Sequence, residues 1–263
     1  KWRIVMFDVP EKKKMARRIK HHGKVGGYFP AQYQPRGTCV GRGGSGGGNV
    51  MQAVLIVGGA PFVFRPISHA WAYAGARMQD NDLGRGDGAR GGACFEWFRD
   101  KGVCYQEEVK DTDYYKDDLA VEWARRGIPK DYIPLGADNI VSDATSCASA
   151  KHAADIIASG GVVTIASSRG FEMVRDADGF CRQRGNWNHQ QFIASVHVTS
   201  RGRKGFGIAN SWGEDANSGP LLPGCPGYVY GAEWDVVDEM LGQNDSACAV
   251  SFQGFTNDLS WAS

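Results

Sequence analysis

The chain has 263 residues, 42% of them apolar and 22% charged, with a formal net charge of +1. That length suffices for one large domain or two lobes around a cleft, and the near-neutral balance gives no electrostatic ground for specific nucleic-acid or membrane binding. The longest apolar stretch, residues 53–64, is interrupted by glycines and Pro61 and falls short of the roughly 20 residues of a membrane helix. No secretory signal is visible, so the expectation is a soluble protein; a start at Lys1 marks a processed chain or a piece of a longer one.

Residues 1–30 read as an N-terminal arm. Within it, residues 12–24 (KKKMARRIKHHGK) hold seven Lys/Arg and no acid, leaving 23 basic against 29 acidic residues elsewhere. Such a segment docks on an acidic partner or is simply a solvated leader. Pro35-Arg36-Gly37 punctuates a loop that ends at Cys39. Apolar residues from Val50 to Val57 predict a buried helix. The glycines between residues 41 and 48 would each cost its first turns about 1 kcal/mol relative to Ala. Either the helix starts late or the glycines admit close packing at the floor of a cleft. Helical patterns follow at Pro66–Asp80, Ala89–Lys101, 116–126 and Ala150–Ser159. Beyond them lie β-rich runs at Val162–Ala166, Phe192–Val198, Gly205–Ala209 and Ala247–Phe252. The order, helices and then strands, predicts an α+β protein with a helical lobe over residues 31–148 and a β-rich lobe over residues 149–263.

Chemistry concentrates in three places. A thiol nucleophile needs a base, and the base needs an orienting partner. Cys39 stands where a helix begins, and the dipole and free N–H groups of a helix N-terminus stabilise a thiolate. His189 precedes the run FIASVHV and is expected at a loop-to-strand junction. Asn210 closes the strand GFGIA. Two adjacent antiparallel strands would bring His189 and Asn210 together, facing Cys39 across the lobe boundary. Taken alone, a Cys is usually a small core residue, a His structural and an Asn a turn cap. Cysteines number seven, an odd count that leaves one free if the others pair. They form no CxxC pair, so neither a metal site nor any other cofactor is expected; reduced thiols are expected throughout, with Cys39 unpaired.

Together these residues resemble the papain-like cysteine peptidases. Asn210-Ser211-Trp212-Gly213 matches that family's NSWG motif, and Asn188-His189 before an apolar strand resembles its histidine motif. A glutamine ahead of Gly37-Thr38-Cys39 resembles its cysteine motif, and the order Cys, His, Asn is the family's. The segments Ser68–Tyr73 and Gly102-Val103 through Glu107-Glu108 also resemble its first lobe, so the likeness runs from about residue 31 to the C-terminus. The resemblance implies a two-lobe fold with the site between the lobes, and hydrolysis of peptide bonds through an acyl-enzyme. In those roles Cys39 would be nucleophile, His189 base and Asn210 the orienter. Trp212 would shield the His189–Asn210 hydrogen bond, and a glutamine would complete the oxyanion hole. The family's glutamine lies six residues before the cysteine, where this chain has Tyr33. Gln34 is preferred, through a one-residue deletion in a Pro-Gly loop, with Gln32 the alternative. Gly88, Gly91 and Gly92 line the substrate cleft by the same likeness, or are turn glycines.

The chain also departs from the family pattern. Val40 stands where Trp is usual, the cysteine of the first-lobe disulfide is absent, and Gln190 replaces a small residue. A long loop, Glu214–Pro226, follows NSWG. The 38 residues before Cys39 are too few for the inhibitory propeptide of lysosomal relatives. These features fit a divergent microbial or viral branch, whose modules also occur inside viral particles. Two other functions stay open: a catalytically silent papain-like module that serves a larger assembly as a structural or binding part, and a cell-wall peptide amidase.

Overall fold

The computed structural model describes residues 4–5, 31–57, 64–110, 116–249 and 251–252. The basic segment 12–24, and with it most of the N-terminal arm, lies outside the described residues.

Helix α1, Cys39–Val57, begins at the cysteine and runs straight through the glycine-rich stretch. The early start has a packing cause. A Cβ on Gly41 would lie 2.5 Å from the His69 carbonyl oxygen, and one on Gly46 would lie 2.7 Å from the Phe192 ring. Gly44 faces the Cys94 sulfur just as closely. Neighbours on both sides thus approach the helix backbone itself, and this contact offsets the poor helix propensity of glycine.

On one side of α1 lie α2 (His69–Gln79), α3 (Ala93–Lys101), the single turn α4 (Gln106–Val109) and α5 (Asp118–Arg126). Ser68 caps α2, its side chain accepting the Trp71 N–H at 3.1 Å. Met51 and Leu55 of α1 pack here with Trp71, Phe95, Trp97 and Phe98.

On the other side lies an antiparallel sheet. Its strands are β1 (Ile4–Val5), β3 (Thr145–Ser146), β4 (Val162–Arg175), β5 (Cys181–Val198), β6 (Lys204–Ala209), β7 (Val229–Glu233) and β8 (Ala247–Ala249). The order is β3-β8-β4-β5-β6-β7, with β1 also pairing β5. Helices α6 (Ala150–Ala158) and α7 (Trp234–Leu241) pack beside it. Val50 and Val54 of α1 join this second core with Ile165, Phe192, Ile193, Phe206 and Tyr230. One helix therefore belongs to both cores, and its N-terminal end carries Cys39. The fold is α+β with two lobes.

Two strand expectations change. The expected run Ala247–Phe252 divides: β8 joins the main sheet, while β9 (Ser251–Phe252) pairs with β2 (Val141–Ser142) as a separate ribbon. The hairpin β4–β5 is much longer than the apolar runs within it, at 14 and 18 residues. Its far end pairs through several register shifts and turns at Asp176, whose Oδ1 accepts the N–H groups of Asp178 and Phe180. As a result His189 sits inside a continuous strand and not at a loop-to-strand junction. No helix among the described residues is long and apolar enough to cross a membrane.

Candidate active site

Strands β5 and β6 pair with Phe192 opposite Ala209. That register sets Asn210, the first residue past β6, beside the segment holding His189. Asn210 Oδ1 lies 2.9 Å from His189 Nε2 and accepts the Ser211 backbone N–H at 2.8 Å. The backbone donor identifies Oδ1 as the acceptor, so His189 Nε2 carries the proton and donates. Nδ1 is then the basic nitrogen of the neutral ring.

Two indoles enclose this hydrogen bond. Trp212 stacks on the imidazole, with centroids 4.6 Å apart and planes 16° apart. Trp187 meets both rings edge-on, 5.8 Å from His189 and 4.9 Å from Trp212. The resemblance indicated Trp212. The sequence signal for Trp187 is its place two residues before His189, on the same strand face.

Cys39 is half-buried, unlike the other six cysteines, which are buried; all seven are free thiols. It lines a cleft of about 580 Å³ together with Val40, Gly88, Asn188, His189, Gln190 and Asp245. Burial pushes the Cys39 thiol up, and the Asp245 carboxylate pushes the same way. The backbone N–H groups of Gln190, Val40 and Cys39 itself oppose the shift. Burial also takes His189 down to about 4, against the opposing hydrogen bond to Asn210. Each group separately favours its neutral form, so a thiolate and an imidazolium are favourable only as a pair.

The N-terminal end of α1 is anchored from below. Thr38 Oγ1 donates to Asp117 Oδ2 at 2.7 Å, and the fully buried Arg42 meets Asp117 Oδ1 at 2.6 Å. His69 Nε2 lies 3.3 Å from the same carboxylate oxygen. Burial alone would raise the Asp117 pKa, but His69, Arg42 and Thr38 outweigh it and bring the carboxyl down to about 2.

Gln34 lies beside the NSWG turn. Its backbone N–H donates to Ser211 O at 2.9 Å, its Oε1 accepts from Ser211 Oγ, and its Nε2 donates to Arg36 O at 3.0 Å. One amide proton remains uncommitted by these bonds. The Gln32 amide instead lies beside Gly46, two turns down α1 from Cys39. Of the three glycines expected along the cleft, only Gly88 lines it. Gly91 is packed against Ala166 and the Asp245 carbonyl, and Gly92 faces a neighbouring hollow while donating its N–H to Asp245 Oδ1 at 3.1 Å. Gln190, noted in the sequence only as a departure, lines the cleft while 1% exposed, and both ends of its carboxamide lack a hydrogen-bond partner.

No protein-family model matches the chain, and no curated protein matches it. Solved structures do. Procathepsin B from Trypanosoma congolense aligns over 95% of this chain and 77% of its own, with a TM-score of 0.59 and 10% identity. The fold is papain-like. Xylellain, a cysteine protease from Xylella fastidiosa, aligns over 84% of this chain and 82% of its own, with a TM-score of 0.56 and 12% identity. The digestive procathepsin L 3 of the Tenebrio molitor larval midgut aligns over 84% of this chain, with a TM-score of 0.55 and 14% identity. The chain spans only 65% of that longer structure. At these identities the likeness concerns the papain-like fold.

Proposed function

We propose that the chain is a cysteine peptidase in which Cys39, His189 and Asn210 hydrolyse peptide bonds through an acyl-enzyme. The observation that carries this reading is the His189–Asn210 hydrogen bond, because it presents Nδ1 as base in the cleft that Cys39 lines. His189 Nδ1 takes the thiol proton as the sulfur attacks the scissile carbonyl. The paired charges that form stabilise each other, and the N–H groups at the start of α1 favour the anion. Collapse of the tetrahedral adduct breaks the C–N bond, and Nδ1–H protonates the leaving amine. Water, deprotonated by the same nitrogen, then hydrolyses the thioester. Gln34, held by Ser211, is the proposed side-chain donor to the oxyanion, and the Cys39 N–H the backbone donor. Trp212 and Trp187 keep water from the orienting hydrogen bond. The substrate is a peptide or protein. The departures at Val40 and Gln190 are the ground for a divergent microbial or viral branch.

A second reading, a catalytically silent module, draws on one observation: burial disfavours both the thiolate and the imidazolium. Covalent labelling by an epoxide thiol-protease inhibitor separates the two. Stoichiometric labelling that disappears in Cys39→Ala supports the peptidase. A chain that resists the epoxide and cleaves no peptide from a mixed library is the silent module.

A further inference from the structure

Away from the cleft, three side chains distant in sequence meet at the seam where β3, α6 and β8 join. Cys147 follows β3, His152 lies in the first turn of α6, and Cys248 lies in β8. One ligand atom from each lies within 4.8 Å of the other two. We propose that Cys147, His152 and Cys248 form a zinc site, with the fourth position left to water on the half-buried His152 side.

The donor set and the geometry both point there. Two thiols and an imidazole make a soft set that suits zinc and not magnesium or calcium. Tetrahedral zinc, with Zn–S of about 2.3 Å and Zn–N of about 2.0 Å, spaces its ligand atoms roughly 3.5–3.8 Å apart. The triangle therefore needs to contract by roughly 1.0–1.3 Å at most. Both thiols are 0% exposed, so a metal there is shielded except beside His152. Their hydrogen bonds to the backbone are long, Cys147 Sγ to Ser149 O at 3.9 Å and Cys248 Sγ to Ser146 O at 4.0 Å.

Strand register favours a metal over a disulfide. Thr145 stands directly opposite Cys248, so Cys147 is a diagonal neighbour two residues along. Diagonal neighbours are about 7–8 Å apart, whereas disulfide-bonded Cα atoms lie within about 6.8 Å. A metal between two thiolates spans the longer separation. It would clamp the start of α6 to the edge strand β3 and to its inner neighbour β8.

The test uses the full chain, stripped with chelator and titrated with zinc chloride against a chromophoric chelator, and in parallel with cobalt(II). We expect one equivalent of zinc, a rise in Tm, and a tetrahedral cobalt spectrum with thiolate charge-transfer bands. C147S and C248S should each abolish the bands. H152A, at a half-buried surface position where folding is least at risk, should weaken zinc binding by more than about 10-fold. Three results would overturn the proposal: no zinc bound by the wild type, binding equally tight in H152A and C248S, or a Cys147–Cys248 disulfide found by mass spectrometry in the protein as purified.

Discussion

Replacing Asp117 with alanine should destabilise the protein by about 3–5 kcal/mol, although the residue does no chemistry. The carboxylate is fully buried and joins Thr38, Arg42 and His69. Its fall from an ordinary 3.8 to about 2 corresponds to roughly 2 kcal/mol of preference for the charged form. Alanine forfeits that and also strands the Arg42 guanidinium without its carboxylate in a site with 0% exposure. Breaking a buried pair from one side costs about 3–5 kcal/mol, a large part of the 5–15 kcal/mol that holds most domains folded. Thr38→Val removes one hydrogen bond and leaves the ion pair, so it should cost only about 1 kcal/mol. Urea unfolding of the three proteins, followed by tryptophan fluorescence, gives both numbers. In the wild type the Asp117 contribution is present above about pH 4 and fades as pH falls towards 2, because the folded pKa lies below the unfolded one. That acid limb should vanish in Asp117→Ala. A loss below about 1 kcal/mol, or one equal to that of Thr38→Val, would refute the reasoning.

Three further outcomes are expected. His189 is held neutral, with its pKa lowered to about 4 from 6.5, so the unfolded chain binds the extra proton. Stability should therefore fall as pH drops from about 6.5 to 4, by roughly 3 kcal/mol in total, and His189→Gln should flatten that slope in unfolding curves taken across the range. Asp245→Asn removes a charge that pushes the Cys39 thiol up, so the alkylation-rate profile with iodoacetamide should move to lower pH; an unmoved profile would disconnect the two groups. Gln34→Ala should lower peptide turnover by about 10²–10³ with alkylation of Cys39 largely unchanged; a loss under about 10-fold would remove Gln34 from the oxyanion hole.

Much of the fold was legible because helix and strand periodicities fall in separate halves of the chain. The candidate site was legible because Asn210-Ser211-Trp212-Gly213 and Asn188-His189 are local strings. The rest depended on contacts that no local window holds. Propensity treats the glycines of α1 as breakers, and only the approach of His69, Cys94 and Phe192 makes them favourable. The far end of the β4–β5 hairpin carries Arg182, Arg184 and Asn186, exposed residues that lack an apolar alternation to announce a strand. Asp245 reaches the cleft from a loop after α7, and Cys147 meets Cys248 only through the pairing of β3 with β8. For the same reason, cysteine spacing gave no hint of a metal site.

The glycines of α1 also bear on the order of assembly. Six of the helix's 19 residues are glycine, which in isolation disfavours it by on the order of 5 kcal/mol relative to alanine. Such a segment has no means of nucleating alone and becomes helical only when both cores close around it. The N–H groups that would stabilise the Cys39 anion are therefore among the last features to be organised. A nascent or half-folded chain carries an ordinary cysteine at this position, and the activation proposed for Cys39 would require the finished tertiary structure. On the proposed function, peptidase activity would therefore appear only with completed folding, after the chain's own segments are no longer exposed.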